Sequence, residues 1–275
     1  MIKNPRGGGG RIMYVNNKNS KHVPLQQGTI INGCITEYYN RDVWGVIITP
    51  RCDIDNGGKV STIHYLPIVS LEDWMKVDCI SIATDKLRKK VKTLLDRYQI
   101  SENILVHIIS QDDFALLLQD LSKKERHMAI ALYNTYVSVI KNKDYSSSDF
   151  KKLCDEELKE LCKGKNNRFY LIKHWDSTDQ YNVIILRDVR KISLNLALKF
   201  VNGYRNNNLS EEAYYCNDLF NTEQKLYFKT ITQIVSPYIE HIIQAFSHNF
   251  CRIGVENLFD HETIIKNYKK QISQL

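Results

Sequence analysis

The stretch from Trp44 to Asp53, W-G-V-I-I-T-P-R-C-D, constrains this chain more than any other. Val46, Ile47 and Ile48 are consecutive β-branched residues, followed by Thr49 and bounded by Gly45 and Pro50. A short run of this kind between a glycine and a proline predicts a strand buried on both faces. Pro50 has no N–H to give to a ladder, so the strand ends there. Arg51, Cys52 and Asp53 are thereby delivered to a strand end, where side chains meet other molecules.

The flanking text is also β-like. Gly28 to Thr36 predicts a strand before it and Ser61 to Val69 one after it. The polar segment Tyr38–Asp42 and the run D-N-G-G at 55–58 are turn signals between them. Three closely spaced strands predict a meander that curls into a small barrel. Strand patterns return at Arg168–Lys173, Tyr181–Leu186 and Asp188–Ser193, with D-S-T-D as a turn. Val189 and Ile192 both point inward only if a bend intervenes.

Between these blocks the period is helical. Lys86–Leu95 has apolar helical spacing and a basic face. Gln111–Asp120 and Glu125–Lys141 also predict helices, the second with Met128, Ala131, Leu132, Tyr136 and Val139 on one face. A capped loop at Tyr145–Asp149 leads to a charged helix through Cys154 and Leu161, stopped by Gly164. Beyond the last strand, Leu194–Phe200 and Thr222–Val235 predict helices. So does the segment from Ser236, with Ser236 as N-cap, Pro237 at the first helical position and Gly254 as its end. Its apolar stripe is Ile239, Ile242, Ile243, Phe246 and Phe250. The prediction is an α+β protein: a small SH3-like barrel split between 28–71 and 166–193. A flexible segment at 1–27 precedes it, a helical insertion at 72–165 divides it, and a helical C-terminal region at 194–275 follows.

Composition narrows the function classes. The 275 residues carry a formal charge of +7, compatible with nucleic acid without demanding it. No apolar run approaches the roughly 18 residues needed to cross a bilayer, and no apolar leader opens the chain, so a cytoplasmic protein is expected. The seven cysteines form no C-x₂-C pair, which points to reduced thiols rather than a zinc ribbon or a disulfide framework. His241, His248 and His261 lack metal-ligand spacing, so no metal and no cofactor are expected.

The β segments, placed end to end, resemble the PemK/MazF-like toxin barrel. G-T-I-I at 28–31, V-W-G-V-I-I-T at 43–49, L-P-I-V-S at 66–70 and N-V-I-I-L-R-D-V-R-K-I-S at 182–193 follow that family's strand order. The resemblance implies RNA cleavage by an arginine before the second strand and a Ser or Thr after a Pro-Ile pair. Arg41 and Ser70 match those positions, with His64 as a nearby general base. Arg41 is followed by Asp42-Val43 where the family has Arg-Pro, and an acid there repels a phosphate.

A second resemblance spans both ends of the chain. I-I-T-P-R-C-D-I at 47–54, with S-P-Y-I-E-H-I-I-Q-A-F-S-H-N-F-C-R-I-G-V at 236–255, is similar to a family of uncharacterised bacterial proteins. These carry V-I-S-Q-x-C-D-I and F-x-R-I-G motifs and accompany phage-defence operons. The resemblance implies a partner from the same operon and supplies no catalytic assignment.

Two functional readings follow. In the first, the chain is a non-catalytic interaction or regulatory component of an anti-phage defence system. It binds a protein partner or nucleic acid at the barrel mouth through Arg51, Cys52, Asp53 and Arg252. Arg252 either meets the helix dipole or reaches Asp53 or Glu256 and ties the last helix to the barrel. Cys52 is a packing residue at the strand end, or a thiol activated by Arg51 or His64. In the second reading the chain is a metal-independent endoribonuclease using Arg41, Ser70 and His64.

Overall fold

The computed structural model describes residues 14, 23–36, 39, 43–55, 60–177, 179–205 and 227–250. In chain order the elements are β1 (Thr29–Cys34), β2 (Val43–Ile47), α1 (Arg51–Asp55), β3 (Thr62–Ser70), α2 (Leu71–Trp74) and a π-helical turn (Met75–Cys79). Next come α3 (Ile80–Arg97), a 3₁₀ turn (Glu102–Leu105), α4 (Gln111–Leu116), α5 (Lys123–Asn142) and α6 (Ser148–Cys162). The chain continues through β4 (Phe169–Lys173), β5 (Tyr181–Ile185), β6 (Arg190–Ser193), α7 (Leu194–Val201) and β7 (Tyr204–Arg205). It ends in β8 (Tyr227–Phe228), β9 (Thr230–Gln233) and α8 (Tyr238–Phe250).

The fold is α+β, built on one antiparallel sheet that curls into a half-barrel. Its order is β4-β5-β3-β2-β1-β9, with β6 also paired to β3. The long strand β3 is the hub. Its first half pairs with β6 (Ile63 opposite Ile192) and its second half with β5 (Ile68 opposite Ile184). Its other edge carries β2, with Ile47 opposite Tyr65. Segments more than a hundred residues apart therefore share one sheet. A turn at Leu186–Arg187 separates β5 from β6 and supplies the required bend. Ile192 is buried there, whereas Val189 stays exposed.

Both faces of the sheet are covered, which is why its strands are apolar without alternation. Val43, Ile47, Ile63, Tyr65, Val183 and Ile185 face one core, which α2, the π turn, α6 and α7 close. Val46, Leu66, Ile68, Ile172, Ile184 and Ile234 face the other, closed by Ile239 and Ile242 of α8. Each fully buried Ile contributes roughly 1.5–3 kcal/mol. Gly45 is required between the layers. A Cβ there would lie 2.6 Å from the Tyr65 ring and 2.7 Å from Cys34 Sγ.

The helices α3 to α6 wrap a third core around Leu87, Val91, Phe114, Tyr133 and Phe150. The face expected on α5 is rotated. The buried stripe is Ala129, Tyr133, Tyr136 and Val139, and Met128 is 55% exposed. Tyrosine can join this core because its hydroxyl is satisfied: Tyr133 accepts from the Ile109 N–H, and Tyr136 donates to the Leu105 carbonyl.

The stretch after α7 is not uniformly helical. Residues 222–226 of the helix expected at Thr222–Val235 lie outside the described residues, and the remainder includes β8 and β9. The physical cause is period-2 burial in T-I-T-Q, where Thr230 and Thr232 are buried and β9 pairs with β1. The helix expected from Ser236 is present as α8 but starts at Tyr238, after a turn at Ser236–Pro237, so Ser236 is not its N-cap; Gly254 lies outside the described residues. Among the described residues no helix is long and apolar enough to cross a membrane.

Candidate functional site

The segment after β2 folds locally. Pro50 accepts from the N–H groups of Asp53 and Ile54, making the one-turn helix α1 rather than an open strand end. Arg51 pairs with Asp55 across that turn at 3.1 Å, both side chains well exposed. The exposed Cys52 thiol lies 3.6 Å from Asp53 Oδ1.

His64 is exposed on β3, and its backbone N–H donates to Thr49 Oγ1 at 2.7 Å. Ser70 ends the same strand six residues on, about 20 Å away at the rise of an extended strand. The structure therefore does not bring these two side chains together. Ser70 caps α2: its Oγ accepts from the Asp73 N–H at 3.0 Å and donates to Asp73 Oδ2 at 2.7 Å. Arg41 and Arg252 lie outside the described residues.

The basic run at 86–92 is partly committed to structure. Lys86 pairs with the buried Glu157 of α6, and Lys92 pairs with Glu102.

A polar cleft among the described residues was not foreseen. It holds about 170 Å³ and is lined by Tyr39, Asp78, Arg168, Phe169, Arg187 and Asp188, among others. It opens where the chain leaving β1, the π turn, the start of β4 and the β5–β6 turn converge. The Tyr39 hydroxyl donates to Asp78 Oδ2. Burial, with the neighbouring Asp78 added, holds the Tyr39 phenol above its ordinary range. Burial also raises Asp78, against the opposing pull of the Tyr39 hydrogen bond and Arg168. A π turn inside a helix often marks a functional position, and here it carries Asp78.

Asp188 is held by Arg190, whose second nitrogen contacts Oδ2 at 3.3 Å. The guanidinium of Arg168 lies 5.2 Å from the centroid of the Phe169 ring. Arg168 and Arg187 are exposed at the rim, and neither forms an ion pair with a carboxylate among the described residues.

No protein-family model, curated protein or solved structure matches this chain.

The cleft combines a part-buried, hydrogen-bonded floor with a cationic rim, an arrangement suited to receiving an anionic group. The sequence held a partial signal for it. The R-D-V-R run at 187–190 carries four charged or β-branched residues at the end of an apolar strand. Asp78 had none, because nothing in M-K-V-D-C announces a π turn. Among the described residues, no group of three or more His, Cys, Asp or Glu side chains is placed to hold a metal ion.

Proposed function

We propose that this chain is a non-catalytic interaction or regulatory component of a bacterial anti-phage defence system. In this reading the half-barrel is a PemK/MazF-like barrel used for binding, and a protein partner presents an acidic group to its mouth. The observation that carries the reading is the rim formed by Arg168 and Arg187. Beneath it, the Tyr39 hydroxyl and the Asp188 carboxylate already have partners. A floor satisfied from within the chain suits recognition, and guanidiniums are matched to carboxylate geometry. The excess positive charge of the chain favours the same partner.

The test has two arms. Purified chain is incubated with labelled RNA and excess EDTA, and the RNA stays full-length. Products of neighbouring genes are co-purified with the full chain, and the complex formed is lost on Arg187→Glu. RNA cleavage under EDTA that disappears on Arg41→Ala would overturn the reading in favour of the endoribonuclease.

A further inference from the structure

The strand β4 forms one margin of the sheet. It pairs with β5 on one side, and no described strand lies on the other. Two hydrogen bonds bracket that pairing: Leu186 N–H to Arg168 C=O at 2.9 Å, and His174 N–H to Gln180 C=O at 2.8 Å. Alternation along an antiparallel ladder then turns the even-numbered backbone groups of β4 toward β5. The N–H and C=O groups of Phe169, Leu171 and Lys173 turn outward. Of these, the Lys173 carbonyl accepts from Tyr14. The N–H groups of Phe169, Leu171 and Lys173 have no partner among the described residues.

Such an edge is a template for one more strand. Its ends are both cationic, since Arg168 immediately precedes β4 and Lys173 closes it, both exposed. A strand with acidic ends would meet opposite charge at both.

We propose that the β4 edge binds an extended acidic segment of a protein partner by strand addition, antiparallel to β4. Main-chain hydrogen bonds to Phe169, Leu171 and Lys173 supply the register, and Arg168 and Lys173 select the charge. This deepens the mouth reading, because Arg168 belongs both to the edge and to the cleft rim.

The probe is a fluorescein-labelled peptide, Glu-Val-Thr-Val-Thr-Glu, titrated into the full chain and followed by anisotropy. Amide exchange at Phe169, Leu171 and Lys173 is read in parallel by NMR. The expected result is binding that slows exchange at these three amides. N-methylation of one alternate set of peptide residues weakens it at least tenfold, and methylation of the other set does not. Reversing both charges, Arg168→Glu with Lys173→Glu, also weakens it at least tenfold. Leu171→Pro removes one outward donor while sparing the β5 ladder. Should that variant not fold, the methylated peptides still decide the question.

Equal effects of the two methylation sets would overturn the proposal, as would preferential binding of a single-stranded RNA at this edge. Protection of the Leu171 amide in the free chain would also overturn it, because the edge would then be occupied from within. Failure of the peptide to bind refutes strand addition and leaves the Arg187-dependent complex as a separate result.

Discussion

The Tyr14 hydroxyl donates to the backbone carbonyl of Lys173, and Tyr14 itself forms an antiparallel bridge with Ile234. Ile234 directly follows β9 and Lys173 ends β4, so one residue touches both margins of the sheet. The ring of Tyr14 also stands edge-on to Trp175, their centroids 6.5 Å apart. Burial holds the phenol above its ordinary range, so it remains a neutral donor. Tyr14→Phe keeps the ring and removes the donor. It is expected to cost about 1 kcal/mol, lowering Tm by roughly 2–4 °C. Calorimetry on the full chain checks this, and an unchanged Tm would refute the bridging role.

The curl itself was legible. The apolar runs at 44–49, 61–69 and 181–186 overlap β2, β3 and β5, because a sheet covered on both faces needs apolar residues at odd and even positions alike. The helices of the middle block were legible by period, yet the face of α5 was not. Tyr136 and Val139 were on the expected face, but Tyr133 counts as polar by its hydroxyl until its backbone partner at Ile109 is known. The strand β9 was hidden because T-I-T-Q is too short to show its period beside Tyr227 and Phe228. The cleft was least legible. Its residues come from four separate places in the chain, and only the fold makes them neighbours.

The Ser70 hydroxyl satisfies the Asp73 N–H at the start of α2. Ser70→Ala orphans that donor and is expected to cost about 1 kcal/mol. Ser70→Thr retains both the acceptor for the Asp73 N–H and the donor to Asp73 Oδ2, and should recover most of the loss. Urea midpoints compare the three proteins. Equal midpoints for Ser70→Ala and the parent would refute the capping role.

Lys86 joins α3 to α6 through Glu157, whose side chain is only 3% exposed while that of Lys86 is 36% exposed. Lys86→Met leaves a carboxylate under cover with no counter-charge. The expected cost is about 2–3 kcal/mol, below that of a fully buried pair because the ammonium end meets water. Pairing Lys86→Met with Glu157→Leu removes both charges and should return most of the stability. The hydrogen bond to Glu157 raises the Lys86 pKa. Its contribution is therefore complete below the ordinary lysine value of about 10.4 and fades as pH climbs through the folded value. Denaturation at neutral pH reads the full effect. A double variant weaker than Lys86→Met would refute the charge argument.

Asp78 shifts stability with pH in the same direction, in a lower pH range and for a different reason. Burial raises its pKa in the fold, and the Tyr39 hydrogen bond and Arg168 only partly offset this. The folded chain therefore holds the Asp78 proton more tightly than the unfolded chain. Stability from this group is greatest below the ordinary carboxylate value of about 4 and declines as pH rises toward the elevated folded value. Above both values it is flat. Asp78→Asn removes the charge while its amide oxygen still accepts from Tyr39. It should be at least as stable as the parent near neutral pH and should lack the parent's decline. Asp78→Leu leaves the Tyr39 hydroxyl without its acceptor and is expected to lose about 1–3 kcal/mol. Urea titrations at a series of pH values above about 4 separate the three proteins. A decline of the same slope in Asp78→Asn would show that another group, and not the carboxylate in the π turn, is titrating.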